Sequence, residues 1–130
     1  MMTSFHYSVT TNKSVDEAVE ALEAALKEHK FGVLWKLDLR AKLEEKGVPL
    51  DMPYRVLEVC NPHEAKKVLS ETPLVGYFLP CKIVVYEVDG KTQIGLPKPT
   101  ALMDVVGVAS LNEIAQGVES TLIQAIEQAK

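Results

Sequence analysis

Cys81-Lys82-Ile83-Val84-Val85-Tyr86-Glu87-Val88, the dipeptide Asp89-Gly90, and then Lys91-Thr92-Gln93-Ile94-Gly95-Leu96 form the stretch on which the architecture turns. Two runs rich in β-branched residues flank a dipeptide that tolerates positive φ at both positions, which is the signature of a tight β-hairpin. The spacing predicts strands over 81–88 and about 92–96, and strands joined by so short a turn must be antiparallel. The first of them is apolar on both faces. Ile83 and Val85 lie on one side, and Val84, Tyr86 and Val88 on the other. If helices cover one face, a second surface must cover the other, and the same face of another copy is the simplest cover. A homodimer is therefore expected.

Toward the N-terminus, Tyr54–Cys60 reads as a strand and is followed at once by Asn61-Pro62. Asn caps the orphan amides of a helix start, and Pro is tolerated at the first helical position because it has no amide to leave unpaired. A helix to about Glu71 follows, expected to bury Ala65, Val68 and Leu69. Pro49 to Pro53 is a loop, and a short polar helix at about 40–46 ends at Gly47. Phe31, Val33, Trp35, Leu37 and Leu39 alternate with more polar neighbours, which predicts a strand with one strongly apolar face. Ser14 and Glu17 form a capping-box pattern ahead of Val15, Ala18, Val19, Leu22, Ala25 and Leu26, a helix expected to run to about Lys30. Phe5, Tyr7 and Val9 place a first strand at about 4–10.

Beyond the hairpin, Pro97 and Pro99 interrupt the chain and a short turn is expected around Ala101 to Val105. Ser110 and Glu113 repeat the capping-box pattern before a long helix whose apolar stripe is Leu111, Ile114, Ala115, Val118, Leu122, Ala125 and Ala129. No repeat, linker or low-complexity segment divides the sequence, so residues 1–130 read as one domain. A hairpin-bearing sheet with amphipathic helices at opposite chain ends implies an α+β, two-layer sandwich, its sheet mainly antiparallel and its helices on one face.

Composition narrows the function classes. The 130 residues are 47% apolar, enough for a core without a disulfide or metal staple. Neither a membrane span nor a secretory signal is expected, since no run approaches about 18 apolar residues. Two cysteines are too few for a disulfide framework, and the cytoplasm is the expected location. With 14 basic against 18 acidic residues and a net charge of −4, the chain lacks the basic excess that binding a phosphate backbone needs, so no nucleic-acid partner is expected. Glycine-rich phosphate loops, His-Glu-x-x-His and Gly-x-Ser-x-Gly are all missing from the sequence, which removes the motif-based case for several enzyme classes without deciding whether the protein is an enzyme.

The residues left for chemistry are few. Cys60 ends a strand just before a capped helix start, where unsatisfied amides favour a thiolate. Cys81 opens the next long strand after Pro80. Were those strand ends adjacent, the thiols could form a redox pair, or bind a soft metal with His63 as third ligand. The alternative is that both are small apolar core residues. His63 in the first helical turn reads first as an exposed polar residue and only second as a neutral ligating imidazole, and His29 and His6 read as structural or solvated. Asp38 and Glu58 would make an acid–base pair only if the fold joined them.

Phe31-Gly32-Val33-Leu34, Asp38-Leu39-Arg40-Ala41, Tyr54-Arg55-Val56-Leu57, Cys60-Asn61-Pro62 and Leu79-Pro80-Cys81-Lys82-Ile83-Val84-Val85 together resemble the prokaryotic family catalogued as domain of unknown function 302. The resemblance implies a TATA-binding-protein-like fold, β-α-β4-α, in small dimeric proteins, and it brings no reaction with it. Cys60, Asn61, Pro62, Pro80 and Cys81 are the motif positions it marks as site candidates. Where the family often carries Asp-Pro, this chain has Lys98-Pro99. DNA binding by a fold relative does not transfer on fold alone, and the acidic balance opposes it.

Three functions fit these residues, while the cofactor and ligand stay unassigned. The first is a dimeric module binding a small molecule or metal near Cys60, His63 and Cys81. The second is a thiol-dependent redox enzyme or sensor built on Cys60 and Cys81. The third is a structural interaction protein using its sheet face.

Overall fold

The computed structural model describes residues 5–130. In chain order its elements are β1 (His6–Thr11), α1 (Val15–Glu28), β2 (Gly32–Asp38), α2 (Leu39–Glu45), β3 (Tyr54–Cys60) and α3 (Pro62–Glu71). A 3-10 turn (Pro73–Tyr77), β4 (Cys81–Val88), β5 (Lys91–Pro97), α4 (Pro99–Val106) and α5 (Leu111–Ala129) follow. No helix among them is long and apolar enough to cross a membrane. The five strands lie in the order β1-β5-β4-β3-β2, every neighbouring pair antiparallel. β2 to β5 make a meander and β1 is added beside β5, leaving an open sheet with β1 and β2 as its edges. This is the α+β architecture expected from the sequence.

Local chemistry explains where elements start and stop. The β4–β5 turn holds Asp89 at φ 52 and Gly90 at φ 74, the pair of left-handed residues that a two-residue hairpin of matching twist requires. α1 begins with both halves of its capping box: Ser14 Oγ accepts from the Glu17 amide at 3.1 Å, and Glu17 Oε1 accepts from the Ser14 amide at 2.9 Å. It stops short of Lys30, which takes φ 68 and cannot continue a helix.

The principal core lies between the sheet and the α1–α5 pair. Leu22 and Leu26 of α1, Leu57 and Ile83 of the sheet, and Leu122 and Ile126 of α5 are fully buried there. A second, smaller core joins Val68 of α3, Val75 of the 3-10 turn, Met103 of α4, and Leu111 and Ala115 of α5. α4 draws its cap from a different helix, because Lys98 has no acceptor to offer. Glu119 Oε1 of α5 accepts from the Thr100 amide at 3.0 Å and from its hydroxyl at 2.6 Å, pinning α4 to α5.

Several expectations are corrected. The first strand starts at His6 and Phe5 is 58% exposed; residue 4 of the expected span lies outside the described residues. In β2 the register shifts between Val33 and Trp35. Val33 pairs with Val59, but Trp35 pairs with Glu58, so Leu34 is the extra residue of a β-bulge. The bulge reverses the alternation. Val33 stays with Val59 on the helix side, whereas Trp35 and Leu37 join Glu58 and Val56 on the opposite face, and the expected single apolar face of β2 is split in two. Lys36 consequently lies on the helix side, where it meets Glu23 of α1 at 3.1 Å in an exposed ion pair. Leu69 is exposed rather than buried, because the α3 stripe that faces the smaller core passes through Val68. Ser110 sits in a helical conformation and makes no side-chain cap; its hydroxyl donates to Glu71 instead, so the second capping box does not form.

The sheet face opposite α1 and α5 carries Trp35 and Leu37 of β2, Tyr54 and Val56 of β3, and Val84 and Tyr86 of β4. Trp35 is 53% exposed, and Tyr54 and Tyr86 stack at 5.1 Å between ring centroids.

Candidate functional site

Between the two cores lies a cavity of about 240 Å³. Val59, Cys60, Cys81 and Lys82 reach it from the adjoining ends of β3 and β4, and Glu64, Ala65 and Val68 from α3. Phe78, Leu79 and Pro80 enter from the segment after the 3-10 turn, Leu102 and Met103 from α4, and Ile114, Ala115 and Val118 from α5. Tyr77, itself highly exposed, stands at the rim. Hydrocarbon dominates this wall.

Two caps shape it. Asn61 fixes α3 against the end of β3: its Oδ1 accepts from the amides of His63 at 3.0 Å and Glu64 at 3.3 Å, while its carbonyl accepts from Ala65 at 2.9 Å. Thr72 then caps the 3-10 turn through the Leu74 amide at 3.3 Å, and the chain returns to β4 through a cis Leu79-Pro80 bond. Phe78 and Leu79 pack with the smaller core.

Of the residues expected at a site, Cys60, Asn61, Pro80 and Cys81 line the cavity together. Pro62 and His63 do not: both are exposed on α3, outside the wall. Among the described residues no three His, Cys, Asp or Glu side chains come together as a metal ligand set, so Cys60, His63 and Cys81 are not assembled around one point. Asp38 and Glu58 do not meet either. Asp38 caps α2 through the Ala41 amide and lies 3.4 Å from Arg55 Nε, whereas Glu58 pairs with Lys82 at 2.6 Å.

The electrostatics around the thiols run opposite to the expectation for Cys60. Every amide of the first α3 turn is accounted for, since Pro62 has none and Asn61 takes those of His63, Glu64 and Ala65. No unsatisfied amide is left to favour a thiolate. Burial pushes the Cys60 thiol up. Cys81 is pushed from 9.0 up to about 11, first by burial and then by the nearby charge that an ionised Cys60 would carry, against a lowering hydrogen bond from its own backbone. Both groups are neutral thiols at neutral pH, and neutral thiols are poor nucleophiles and poor metal ligands. The two charged residues of the wall are each paired, Glu64 with Lys67 at 3.2 Å and Lys82 with Glu58.

Sequence reasoning located the β3–α3 and β4 side of this cavity and missed the side formed by Phe78, Leu102 and Met103. A signal was present. Leu74-Val75-Gly76-Tyr77-Phe78-Leu79, bracketed by Pro73 and Pro80, is too apolar for a solvated connection and calls for something to cover.

The family model described as Domain of unknown function DUF302 matches residues 7–129. The chain belongs to this family. A crystal structure of an uncharacterized conserved DUF302 protein from Bacillus stearothermophilus is 47% identical, with a TM-score of 0.94 over 97% of this chain and 98% of that one. No curated protein matches. Within this DUF302 chain, Lys98-Pro99 stands at the start of α4, the helix that Glu119 caps in place of a local acceptor.

Proposed function

We propose that the protein is a small-ligand-binding module that acts as a homodimer, its ligand held in the apolar cavity between the two cores. The cavity carries this reading. An empty apolar chamber of about 150 Å³ is enough to admit benzene, and this one, at about 240 Å³, is larger. An apolar molecule held against this wall removes hydrocarbon surface of both partners from water. Cys60 and Cys81, neutral and partly buried, serve as wall. That chemistry favours ligand binding over thiol redox catalysis and fits a reducing cytoplasm.

The test is titration with naphthalene followed by amide chemical shifts. Saturable shifts clustered on α3, Phe78–Cys81 and α4 are expected, and they vanish in Ala115→Phe, which fills the chamber from α5. Absence of any saturable change in the wild type would remove the reading.

The dimer is assigned to the sheet face bearing Trp35, Val56, Val84 and Tyr86, where Trp35 is 53% exposed and the other three are partly exposed. Sedimentation is expected to give a dimer that Val84→Lys converts to monomer; a wild-type monomer at tens of micromolar would refute it.

A further inference from the structure

Resting on that reading, we infer that the cavity selects a neutral, largely apolar molecule carrying one hydrogen-bond-accepting carbonyl, which receives a hydrogen bond from Asn61 Nδ2. Asn61 lines the cavity, and both bonds to its Oδ1 are spent on the α3 cap. Because the cap dictates which way the amide faces, the other end of the side chain is the donor Nδ2. It has no hydrogen-bond partner among the described residues. Arg55 Nε is the one buried side-chain nitrogen or oxygen there without a hydrogen bond, so the unpartnered Nδ2 is accessible and not sealed in the protein. An accessible amide donor bordering a chamber of otherwise apolar character is the kind of single polar group that orients a ligand.

Charge selects against ions. Glu64 of the wall is already matched by Lys67, and the Lys82 ammonium is held by Glu58, which lies on the opposite sheet face, so an incoming carboxylate leaves water for an apolar wall and meets no free cation there. A cation finds no unpaired carboxylate in the wall. The two thiols, held neutral by burial, supply no counter-charge to either.

Three probes of one skeleton separate the possibilities: naphthalene, 2-acetylnaphthalene and 2-naphthoate, titrated at neutral pH against the wild type and Asn61→Asp. Aspartate keeps the cap acceptor and loses the donor, and naphthalene affinity with the melting temperature reports whether the variant is folded. In the wild type 2-acetylnaphthalene is expected to bind about fivefold tighter than naphthalene, the gain of one neutral hydrogen bond, and 2-naphthoate weakest. In Asn61→Asp the advantage of the ketone disappears while naphthalene binding persists. Tightest binding of 2-naphthoate, or a ketone advantage that survives Asn61→Asp, would overturn the inference while leaving the cavity reading intact. Failure of all three probes in the wild type would overturn both.

Discussion

Replacing Cys81 by Ala alters the alkaline limb of the stability curve in a direction and amount set by the cavity wall. In the unfolded chain the thiol ionises near its ordinary 9.0; in the folded protein it does so only at about 11. Between those values the unfolded state binds fewer protons than the folded state, so unfolding becomes easier as pH rises. The contribution is fully present below pH 9 and is lost as pH climbs through about 11. At 1.36 kcal/mol per pKa unit the loss is about 2–3 kcal/mol. Tyr7 and Tyr54, whose values are also raised, are shared by wild type and variant and cancel in the difference. Urea unfolding of both proteins, followed by circular dichroism from about pH 8 to about pH 11.5, gives that difference directly. Cys81→Ala carries a pH-independent packing cost, so the gap between the two proteins is expected to shrink by about 2–3 kcal/mol across the range. A gap that stays constant would mean that Cys81 titrates as a solvated thiol, and the account of a neutral, apolar wall would fail with it.

Ser14→Ala removes an acceptor that caps α1 and is expected to cost about 1 kcal/mol in chemical denaturation. Ser110→Ala, at a position that resembles a cap in sequence but makes no cap hydrogen bond, is expected to cost less than half of that. Leu122→Ala opens a void in the principal core where the side chain is fully buried, with an expected loss of about 3 kcal/mol by the same measurement. If the proposed dimer uses this sheet face, Trp35 emission is expected to shift to the red in Val84→Lys; an unchanged spectrum would count against that interface.

Elements whose boundaries are written in neighbouring residues were legible. β3, α3 and β4 fall at Tyr54–Cys60, Pro62–Glu71 and Cys81–Val88 as expected, because Asn61-Pro62 and Asp89-Gly90 carry their backbone preferences locally. The bulge at Leu34 was not legible: alternation assumes a regular ladder, and an extra residue leaves no mark in the pattern of apolar side chains. Ser110 failed as a cap because its backbone is already helical, at φ −65 and ψ −16, rather than in the extended conformation that turns a cap hydroxyl toward the following amides. At the site, Cys60 and Cys81 could be named since strand ends flank a capped helix, and Asn61 and Pro80 through the family resemblance, but their state could not. Whether a thiol meets a helix dipole or a hydrocarbon wall depends on which amides are already spent and on Phe78 and Met103 arriving from elsewhere in the chain.

The placement of β1 at the sheet edge beside β5 also orders events in time. His6–Thr11 finds its ladder partner only in Lys91–Pro97, so the N-terminal strand has nowhere to pair until nearly the whole meander has been synthesised. Closing so long a segment is entropically the dearest step of assembly, and topologies dominated by such separations fold slowly. The meander from β2 to β5, joined by shorter connections, is the part that can form early. α1 then waits with Leu22 and Leu26 uncovered until α5 and the completed sheet can receive them. A nascent chain therefore carries its N-terminal helix uncovered until late, and chaperones that survey unfinished proteins would meet this molecule there.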